Sequence, residues 1–391
     1  MQNKKKINIA VIGTGFMGRT HSYSAANLPF FYDNLQFRPV LHTICSRDKE
    51  KGESVKNDWG FAYSETDTDK ILANEEIDVI DICTPNICHL DVILKALDAG
   101  KNIYCEKPLV ISYEQAKKVT EKLESVKNKT HSENAVCATV FHNRFSPAVL
   151  RAKQLIQEDR LGRIISFRCL YLHNSAIDLN KNAGWKQDAD IGGGGVLFDL
   201  GSHAIDLVRF LCCGTGEMTD IFGTSQIFFP VRKGHNGEEW HTNAEEAFYI
   251  TVKLNNNTIG TIEASKLATG TNSDLSIEIY GEKGALKYSL MQPNYLEFYD
   301  NTKPAGDFGG EKGFTKIECV QRYQKPGNTF PGGKSPVGWL RLHMHSYYLY
   351  LDSVYNNKLS DLLPSFYDGA AVQNIMEKAY LSAKSGRWET I

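Results

Sequence analysis

The stretch Ile7-Asn8-Ile9-Ala10-Val11-Ile12-Gly13-Thr14-Gly15-Phe16-Met17-Gly18 decides the fold class of the chain. A short apolar run ends in the pattern G-x-G-x-x-G, and a helical pattern follows, as expected for a strand, a tight turn and a helix. The first glycine permits the turn, the second lets phosphate approach the backbone, and the third lets helix and strand pack closely. The stretch therefore predicts a dinucleotide-binding Rossmann unit whose pyrophosphate contacts are Gly13, Gly15, Phe16, Met17 and Gly18.

Strand and helix patterns alternate through the first part of the chain. Apolar runs at 40–45, 77–83, 102–105 and 135–140 indicate strands, and 89–99 indicates a helix that ends at Gly100. Because strands that alternate with helices form parallel sheets, we expect an α/β fold with a doubly wound parallel sheet. This predicts a first domain over residues 1–142.

The pattern changes after about residue 145. A helix at 146–158 is followed by strand patterns at 163–172, 219–229, 244–254, 258–267, 275–280 and 285–289, with a helix between the glycine run 192–195 and residue 212. Successive strands favour a large, mostly antiparallel open sheet in an α+β domain over residues 143–391. We expect a long loop at 301–338 and helices at 339–355 and about 367–385, the last packing back toward the first domain.

Composition excludes several classes of protein. The 391 residues carry a net charge of −2, which gives no electrostatic reason for binding nucleic acid or an anionic membrane. No apolar run reaches the length of a membrane span. Nine scattered cysteines favour reduced thiols and a cytoplasmic protein. Cys83, Cys88 and His89 lack both the CxxC spacing and a second ligand cluster, so no metal site is predicted.

Cofactor preference depends on the end of the second strand, Cys45-Ser46-Arg47-Asp48. An acidic residue at the position of Ser46 would favour NAD through the ribose hydroxyl, whereas a nearby arginine accommodates the phosphate of NADP. Arg47 can serve that purpose, can stack on adenine, or can be an ordinary surface cation. Ser46 and Arg47 are therefore candidate cofactor contacts that leave NAD and NADP both open.

Two polar segments follow strand ends in the first domain. They are Thr84-Pro85-Asn86, with His89 after it, and Glu106-Lys107-Pro108. Ligands of such sheets bind beyond the carboxyl ends of the strands. We expect Lys107 to reach toward a nicotinamide, the alternative being a surface pair of Glu106 and Lys107.

The segment 192–206 contains Asp199 and His203, four residues apart and so on one face of a helix. Oxidation of an alcohol by hydride transfer needs a base for the hydroxyl proton, and a histidine suits that task. Lys107 can hydrogen-bond the same oxygen, and Asp199 can orient the imidazole or contact a substrate hydroxyl. The alternative is a buried Asp–His pair within one helix.

These motifs together resemble the family of glucose–fructose oxidoreductases and inositol dehydrogenases. The resemblance covers nearly the whole chain and rests on the stretches GTGFMGRTH (13–21), DICTPNICH (81–89), AGKNIYCEKPL (99–109), HNRFSP (142–147) and GGGGVLFDLGSHAIDL (192–207). The stretch 313–338 is similar to a subgroup that acts on glucosides, anhydrosugars and cyclitols. That subgroup mostly favours NAD, so NAD is the expected cofactor, with NADP not excluded.

The resemblance also implies roles for residues. It implies that Lys107, Asp199 and His203 are catalytic and that these three and Arg144 contact the substrate. Further cofactor contacts would be Thr84, Pro85, Asn86, His89, Glu106, Asn143, Trp185 and Lys186, where Lys186 replaces the usual arginine. A homo-oligomer, tetrameric or dimeric, through the sheet of the second domain is implied as well.

The implied function is NAD(P)-dependent oxidation of a ring secondary hydroxyl in a sugar, glycoside or cyclitol, with the 3-position of a glucoside as the sharper expectation. Two alternatives stay open: a glycosidase that retains NAD and uses transient oxidation and elimination, and a non-catalytic, cofactor-sensing regulator. Four aromatic residues outside the motifs, His241, His343, His345 and Trp339, are expected to be ordinary surface or packing residues.

Overall fold

The computed structural model describes residues 4–130, 135–214, 216–234, 236–327, 330 and 332–391. Among these residues, six strands form a parallel sheet in the order β3-β2-β1-β4-β5-β6. The strands are β1 Lys5–Ile12, β2 Phe37–Cys45, β3 Tyr63–Glu65, β4 Val79–Ile82, β5 Asn102–Glu106 and β6 Cys137–Val140. The strand order reverses between β1 and β4, which makes their carboxyl ends the switch point of a doubly wound sheet. The predicted Rossmann sheet is confirmed.

The helices of this sheet are α1 Phe16–Phe31, α2 Lys49–Trp59, α3 Thr68–Ala73, α4 His89–Asp98 and α5 Tyr113–Thr130. Ile9, Val11 and Ile80 are completely buried, since both faces of a parallel sheet are covered by helices. The chain leaves α4 through Gly100, which has a positive φ of 67°. This is the glycine that the sequence predicts at the end of that helix.

The second half of the chain begins with α6 Pro147–Gln157, β7 Ile164–Leu172, α7 Ala189–Gly192 and α8 Ser202–Cys212. The strands that follow are β8 Met218–Gln226, β9 Val231–Lys233, β10 Glu239–His241, β11 Ala247–Leu254, β12 Ile259–Ser265, β13 Asp274–Gly281, β14 Gly284–Ser289, β15 Tyr295–Asp300 and β16 Phe314–Glu318. The chain ends with α9 Trp339–Tyr355, α10 Phe366–Ser385 and β17 Glu389–Thr390.

Nine strands of the described chain form a second sheet in the order β16-β15-β14-β13-β7-β12-β11-β8-β17. The pair β12 and β7 is parallel, and the other neighbouring pairs are antiparallel. Buried and exposed residues alternate along β7 and β11. α8 packs on β7 and β12, and the exposed residues of β7 and β11 define the other face, called the open face below. The mostly antiparallel sheet predicted for the second domain is confirmed.

The prediction of one long loop over residues 301–338 is wrong in part. It contains β16, which pairs antiparallel with β15, a strand that the sequence patterns also do not reveal. The side chains of β16 are mostly exposed because it is the edge strand of the sheet. An edge strand of this kind carries no apolar alternation, which is the signal that sequence patterns detect.

The chain divides into two compact units. Unit 1 comprises Met1–Phe145, Tyr323–Gly333 and Gly338–Ala371, and unit 2 comprises Ser146–Arg322, Lys334–Val337 and Val372–Ile391. The expected boundary after residue 142 lies close to the observed one, but α9, placed in the second domain by the sequence, belongs to unit 1. Its buried face joins the core around β1 through residues such as Tyr347 and Leu351. The first residues of α10 belong to unit 1, and the rest to unit 2.

All nine cysteines lie within the described residues as free thiols. Six of them are buried: Cys45, Cys105, Cys137, Cys169, Cys212 and Cys319. Within the described ranges, none of the helices is long and apolar enough to cross a membrane.

Candidate active site

The glycine loop at the end of β1 leaves space only where a phosphate is expected. Gly13 has a φ of 117°, and a Cβ on it would lie 2.5 Å from the Cys83 carbonyl oxygen. A Cβ on Gly18 would lie 2.0 Å from the Gly13 oxygen, whereas a Cβ on Gly15 would meet no atom within 4 Å. Gly15 precedes α1, whose first backbone N–H groups favour an anion. Phe16 and Met17 begin this helix, and Phe16 is 72% exposed.

Orphaned polar atoms in unit 1 also fit an absent ligand. The hydroxyl oxygen of Thr84 and both amide atoms of Asn143 are buried, without a hydrogen-bond partner among the described residues. Buried polar groups are rarely left unpaired, and each such group calls for an explanation. Thr84 follows β4, and Asn143 lies in a short turn, His142–Phe145, after β6, so both come after carboxyl ends of the sheet. The residues present therefore fit a bound dinucleotide.

The end of β2, where the sequence predicts contacts to the adenosine ribose, carries Ser46, Arg47 and Asp48. Ser46 is buried, and its hydroxyl accepts a hydrogen bond from the Asp48 N–H at 3.3 Å. Asp48 is the N-cap of α2, and its carboxylate accepts from the Lys51 N–H at 3.0 Å. Arg47 between them is exposed. The Asp48 carboxylate is thus engaged at the start of α2, next to the exposed Arg47.

His89 lies under two loops that follow β4 and β5. Its Nε2 is 3.1 Å from the Thr84 oxygen, and its Nδ1 is 3.1 Å from the Pro108 oxygen. Burial lowers the pKa of His89, so the ring is neutral and donates to one side at a time. Its role as a cofactor contact stays a prediction. What the geometry shows is that His89 joins the loops carrying Thr84, Pro85, Asn86 and Lys107.

A buried ion-pair network supports Glu106 and Lys107. The His21 ring lies 2.8 Å from Asp81 through Nδ1 and 3.1 Å from Glu106 through Nε2. The other Glu106 oxygen accepts from the Lys107 N–H at 3.1 Å, and Tyr347 donates to Asp81 at 2.9 Å. Glu106 therefore points into the protein rather than forming an exposed pair with Lys107. The Lys107–Pro108 peptide bond is cis.

His21 is charged in this environment. Burial alone lowers its pKa, but the charge of Asp81 and the hydrogen bonds to Asp81 and Cys83 raise it well above the ordinary value. An imidazolium between Asp81 and Glu106 uses both of its N–H donors.

Two groups in unit 1 have the composition of metal-ligand sets: His21, Asp81 and Cys83, and His21, Glu106 and His343. Both sets depend on His21, whose two ring nitrogens already contact Asp81 and Glu106. Cys88 is exposed and belongs to neither set, and the His89 ring contacts backbone oxygens. Cys83, Cys88 and His89, which prompt a zinc interpretation of the sequence, are thus not brought together as ligands.

Asn143 and Arg144 are both almost fully buried in unit 1. A guanidinium nitrogen of Arg144 lies 3.7 Å from a carboxylate oxygen of Asp368 on α10. Burial of a charge is tolerated when it is paired in this way. The predicted contact of Arg144 with substrate stays a prediction.

In unit 2, Asp199 is held by two lysines. The Lys186 ammonium is 2.7 Å from one carboxylate oxygen and the Lys266 ammonium is 3.0 Å from the other. Lys186 lies beside Trp185, with its ammonium 5.6 Å from the ring centroid. Two cations on one carboxylate favour its ionised form. Asp199 is therefore an acceptor, suited to a hydroxyl donor.

His203 is 5% exposed and lies in the first turn of α8, next to the Tyr171 ring at 5.8 Å between centroids. Asp199 belongs to a π-helical turn, Leu197–Gly201, that directly precedes α8. The two residues thus lie on one continuous helical segment, as predicted, but across a change from π to α hydrogen bonding. Single π turns in helices are frequent at functional sites.

Glu245 fixes the start of this segment. Its carboxylate accepts hydrogen bonds from the N–H groups of Gly195 and Leu197, at 3.0 and 2.9 Å, and from the Tyr380 hydroxyl at 2.8 Å. Burial raises the pKa of Glu245, which these hydrogen bonds oppose. A Cβ on Gly195 would lie 2.2 Å from the backbone carbonyl oxygen of Glu245, which explains why this position is a glycine.

The remaining aromatic candidates are packing or surface residues. Trp339 stacks on Phe16 at 5.6 Å within unit 1. His343 and His345 are buried in α9, where burial lowers the pKa of His345 to about 3. His241 is exposed on β10.

Sequence reasoning missed three residues that the structure places around the candidates: His21, Glu245 and Lys266. His21 belongs to a motif quoted above but carried no role. Nothing in the local sequence marks Lys266 or Glu245, because their partners lie 67 and 48 to 50 residues away along the chain.

Two family models match this chain. Residues 7–133 match the oxidoreductase family with an NAD-binding Rossmann fold, and residues 149–287 match the GFO/IDH/MocA C-terminal domain. The chain belongs to the GFO/IDH/MocA family of NAD-binding oxidoreductases. The expected enzyme class and the expected NAD cofactor are thereby confirmed.

Among the relatives, levoglucosan dehydrogenase of Pseudarthrobacter phenanthrenivorans is 29% identical, covering 99% of this chain and 98% of that protein. Glucose-6-phosphate 3-dehydrogenase of Bacillus subtilis is 26% identical and covers 94% of each. A solved structure of levoglucosan dehydrogenase with NADH and levoglucosan has a TM-score of 0.90 at 27% identity, covering 99% of this chain and 100% of the other.

Proposed function

We propose that the protein is an NAD-dependent dehydrogenase that oxidises a ring secondary hydroxyl of a sugar, glycoside or cyclitol, with the 3-position of a glucoside or anhydrosugar as the specific site. The observation that carries the proposal is the helical segment in which His203 follows an Asp199 carboxylate fixed by two ammonium groups. The similarity to dehydrogenases of levoglucosan and of glucose 6-phosphate at its 3-position supports it.

In the proposed reaction His203 accepts the proton of the substrate hydroxyl, and Lys107 donates a hydrogen bond to the same oxygen as negative charge develops there. Bound NAD supplies the acceptor for the hydride. Asp199 accepts a hydrogen bond from the substrate and Arg144 contributes a further contact. The hydrogen bonds from the N–H groups of Gly195 and Leu197 to the Glu245 carboxylate orient the segment that carries Asp199 and His203.

The cofactor contacts proposed are Gly13, Gly15, Phe16, Met17, Gly18, Ser46, Arg47, Thr84, Pro85, Asn86, His89, Glu106, Lys107, Asn143, Trp185 and Lys186. The open space at Gly15 and the orphaned atoms of Thr84 and Asn143 support the assignment. Arg47 leaves room for some activity with NADP as well.

The decisive experiment incubates the purified protein and NAD with a panel of levoglucosan, alkyl and aryl glucosides, glucose 6-phosphate and inositols, and follows NADH absorbance. Formation of NADH with one class, and a product whose keto group is located by NMR, is the expected result. Absence of NADH with every polyol, together with no oxidation of NADH by the matching keto-sugars, would refute the proposal.

Two further measurements distinguish the dehydrogenase from the two alternatives that the sequence leaves open. A glycosidase that retains NAD releases the aglycone of an aryl glucoside with no net formation of NADH. A regulator retains its biological activity when Lys107 and His203 are both replaced by alanine.

We also propose that the protein forms a homo-oligomer, a dimer or tetramer, through the open face of the nine-stranded sheet. Exposed apolar side chains on strands of this sheet, Tyr249 and Ile259, support it. Light scattering of wild type and of a Tyr249→Lys variant tests it. A monomeric wild type, or a variant with unchanged mass, would contradict the proposal.

A further inference from the structure

Lys266 occupies a position that local structure alone does not explain. It follows directly after β12, where its backbone N–H donates to the Glu246 oxygen at 2.8 Å and its oxygen accepts from the Ala176 N–H at 3.0 Å. The backbone is therefore fixed on both sides, and the side chain is only 9% exposed. Lysine is among the residues least often found fully buried unless it is paired.

The pairing of Lys266 is incomplete for a buried ammonium. Among the described residues, the acceptor that its Nζ contacts is a single carboxylate oxygen of Asp199, at 3.0 Å. An ammonium has three N–H donors, and a buried donor without an acceptor costs free energy. The other N–H donors of Lys266 are therefore available to solvent or to a substrate oxygen.

Lys186 contacts the other Asp199 oxygen at 2.7 Å but is 47% exposed. A solvated ammonium pairs weakly and exchanges easily. The two lysines therefore differ in kind. Lys266 is the fixed partner of Asp199, and Lys186 is a partner that a substrate can displace or share.

The chemical character of the substrate group that fits Asp199 and the two lysines follows from their contacts. Asp199 offers acceptor oxygens, and the two ammonium groups offer donors within about one hydrogen-bond length of them. A sugar hydroxyl is donor and acceptor at once, so one hydroxyl satisfies Asp199 and a lysine together. His203 lies one turn further along the same helical segment as Asp199.

We propose that Lys266, with Asp199 and Lys186, recognises a hydroxyl next to the carbon that is oxidised, so that the substrates are rings carrying a vicinal diol. The inference rests on the proposed function and names the feature of the substrate that the site selects. Lys266 is thereby a specificity-determining residue that contacts substrate.

The test compares the best substrate of the panel with analogues that lack one hydroxyl next to the oxidised carbon. Wild type is expected to disfavour one deoxy analogue by about 10- to 100-fold in kcat/KM, as for loss of a hydrogen bond to a charged group. Lys266→Met is expected to lose that preference. Its kcat/KM with the full substrate should fall to the value that wild type shows with the deoxy analogue. Lys266→Arg keeps a cation and retains most of the preference.

Lys253→Met is the matched control, because Lys253 is an exposed lysine on β11 in the same unit, and it is expected to behave as wild type. If Lys266→Met does not fold, Lys266→Gln decides, because it keeps a polar side chain without the ammonium, and the same loss of preference is expected. An equal fall with every substrate in these variants, or an unchanged preference, overturns the inference while the proposed function stands. A wild type that oxidises no polyol overturns both, and this is seen before any variant is made.

Discussion

Lys107 and His203 differ in their surroundings although the proposed reaction uses both. His203 is almost fully buried in unit 2, whereas Lys107 is partly exposed and its backbone N–H is held by the buried Glu106. A buried base is shielded from competing protons of the solvent. A lysine on a fixed backbone can present its ammonium to a substrate oxygen as a hydrogen-bond donor.

At the scale of single residues, His203→Gln and Lys107→Met are each expected to lower kcat by about 10²- to 10⁴-fold, because each removes a proton-transfer or charge-stabilising group. His203→Gln is expected to bind NADH as wild type does, measured by fluorescence titration. The exposed His241→Gln serves as control. Turnover of either active-site variant at the wild-type rate would contradict the assigned roles.

A second prediction at this scale concerns stability. The folded pKa of His21 lies well above its ordinary value, so its charge stabilises the fold fully below pH about 6.5, and this contribution is lost as pH rises through the folded pKa. The titratable groups facing it are the side chains of Asp81, Glu106, Cys83, Tyr104, His343 and Tyr347. The difference in unfolding free energy between wild type and His21→Gln should therefore shrink with increasing pH above that value.

Denaturant unfolding monitored at several pH values measures this difference, with His241→Gln as the surface control. A difference that grows as pH increases would mean that His21 is neutral in the folded protein.

Candidate residues can be selected from the sequence where they stand in a short local pattern, and their roles stay predictions. The glycine spacing, Lys107 before a proline, and Asp199 four residues before His203 all stand in short motifs. The contacts of Lys266 with Asp199, of Glu245 with Gly195 and of Tyr380 with Glu245 form only on folding, since each joins residues from different elements. No rule of spacing can connect them.

At the scale of elements, the turn between β1 and α1 separates a folding requirement from a binding requirement. Gly18→Ala is expected to destabilise the protein strongly, because its Cβ would overlap the Gly13 oxygen. Gly15→Ala meets open space, so its melting temperature should stay near wild type while its KM for NAD increases. Thermal melts and NAD kinetics of both variants check this. A Gly15→Ala protein with unchanged KM would show that phosphate does not approach there.

Prediction of the strands succeeded where the sequence shows an apolar run or a regular apolar alternation, and it missed β15 and the exposed edge strand β16. β1 from Ile7 onward and β4 are nearly all buried and mostly apolar, as is typical of strands in parallel sheets. β16 is an exposed edge strand in a segment rich in glycine and proline, so its pairing with β15 left no periodic signal. The sequence could not predict that α9 belongs to unit 1, because the pattern of a helix does not indicate which hydrophobic core the helix packs against.

At the scale of the whole molecule, NAD should act as a stabilising ligand because it binds the folded state. At a concentration one hundred times its Kd, the gain is about 2.7 kcal/mol, and the melting temperature should increase accordingly. NADP is expected to give a smaller increase at equal concentration. Scanning calorimetry with each dinucleotide measures the effect. An increase with NADP and none with NAD would reverse the cofactor assignment and point to Arg47 as the residue responsible.

The distribution of thiols gives the molecule a built-in reporter of unfolding. Burial raises the pKa of eight of the nine cysteines, for example to about 12 for Cys137 and about 11 for Cys213 and Cys319, and only the thiolate reacts with alkylating reagents. Exposed Cys88 is thus the site for attaching a dye to the folded protein. Because protected thiols occur in both units, mass spectrometry after a short alkylation pulse would read, unit by unit, which half of the chain opens first.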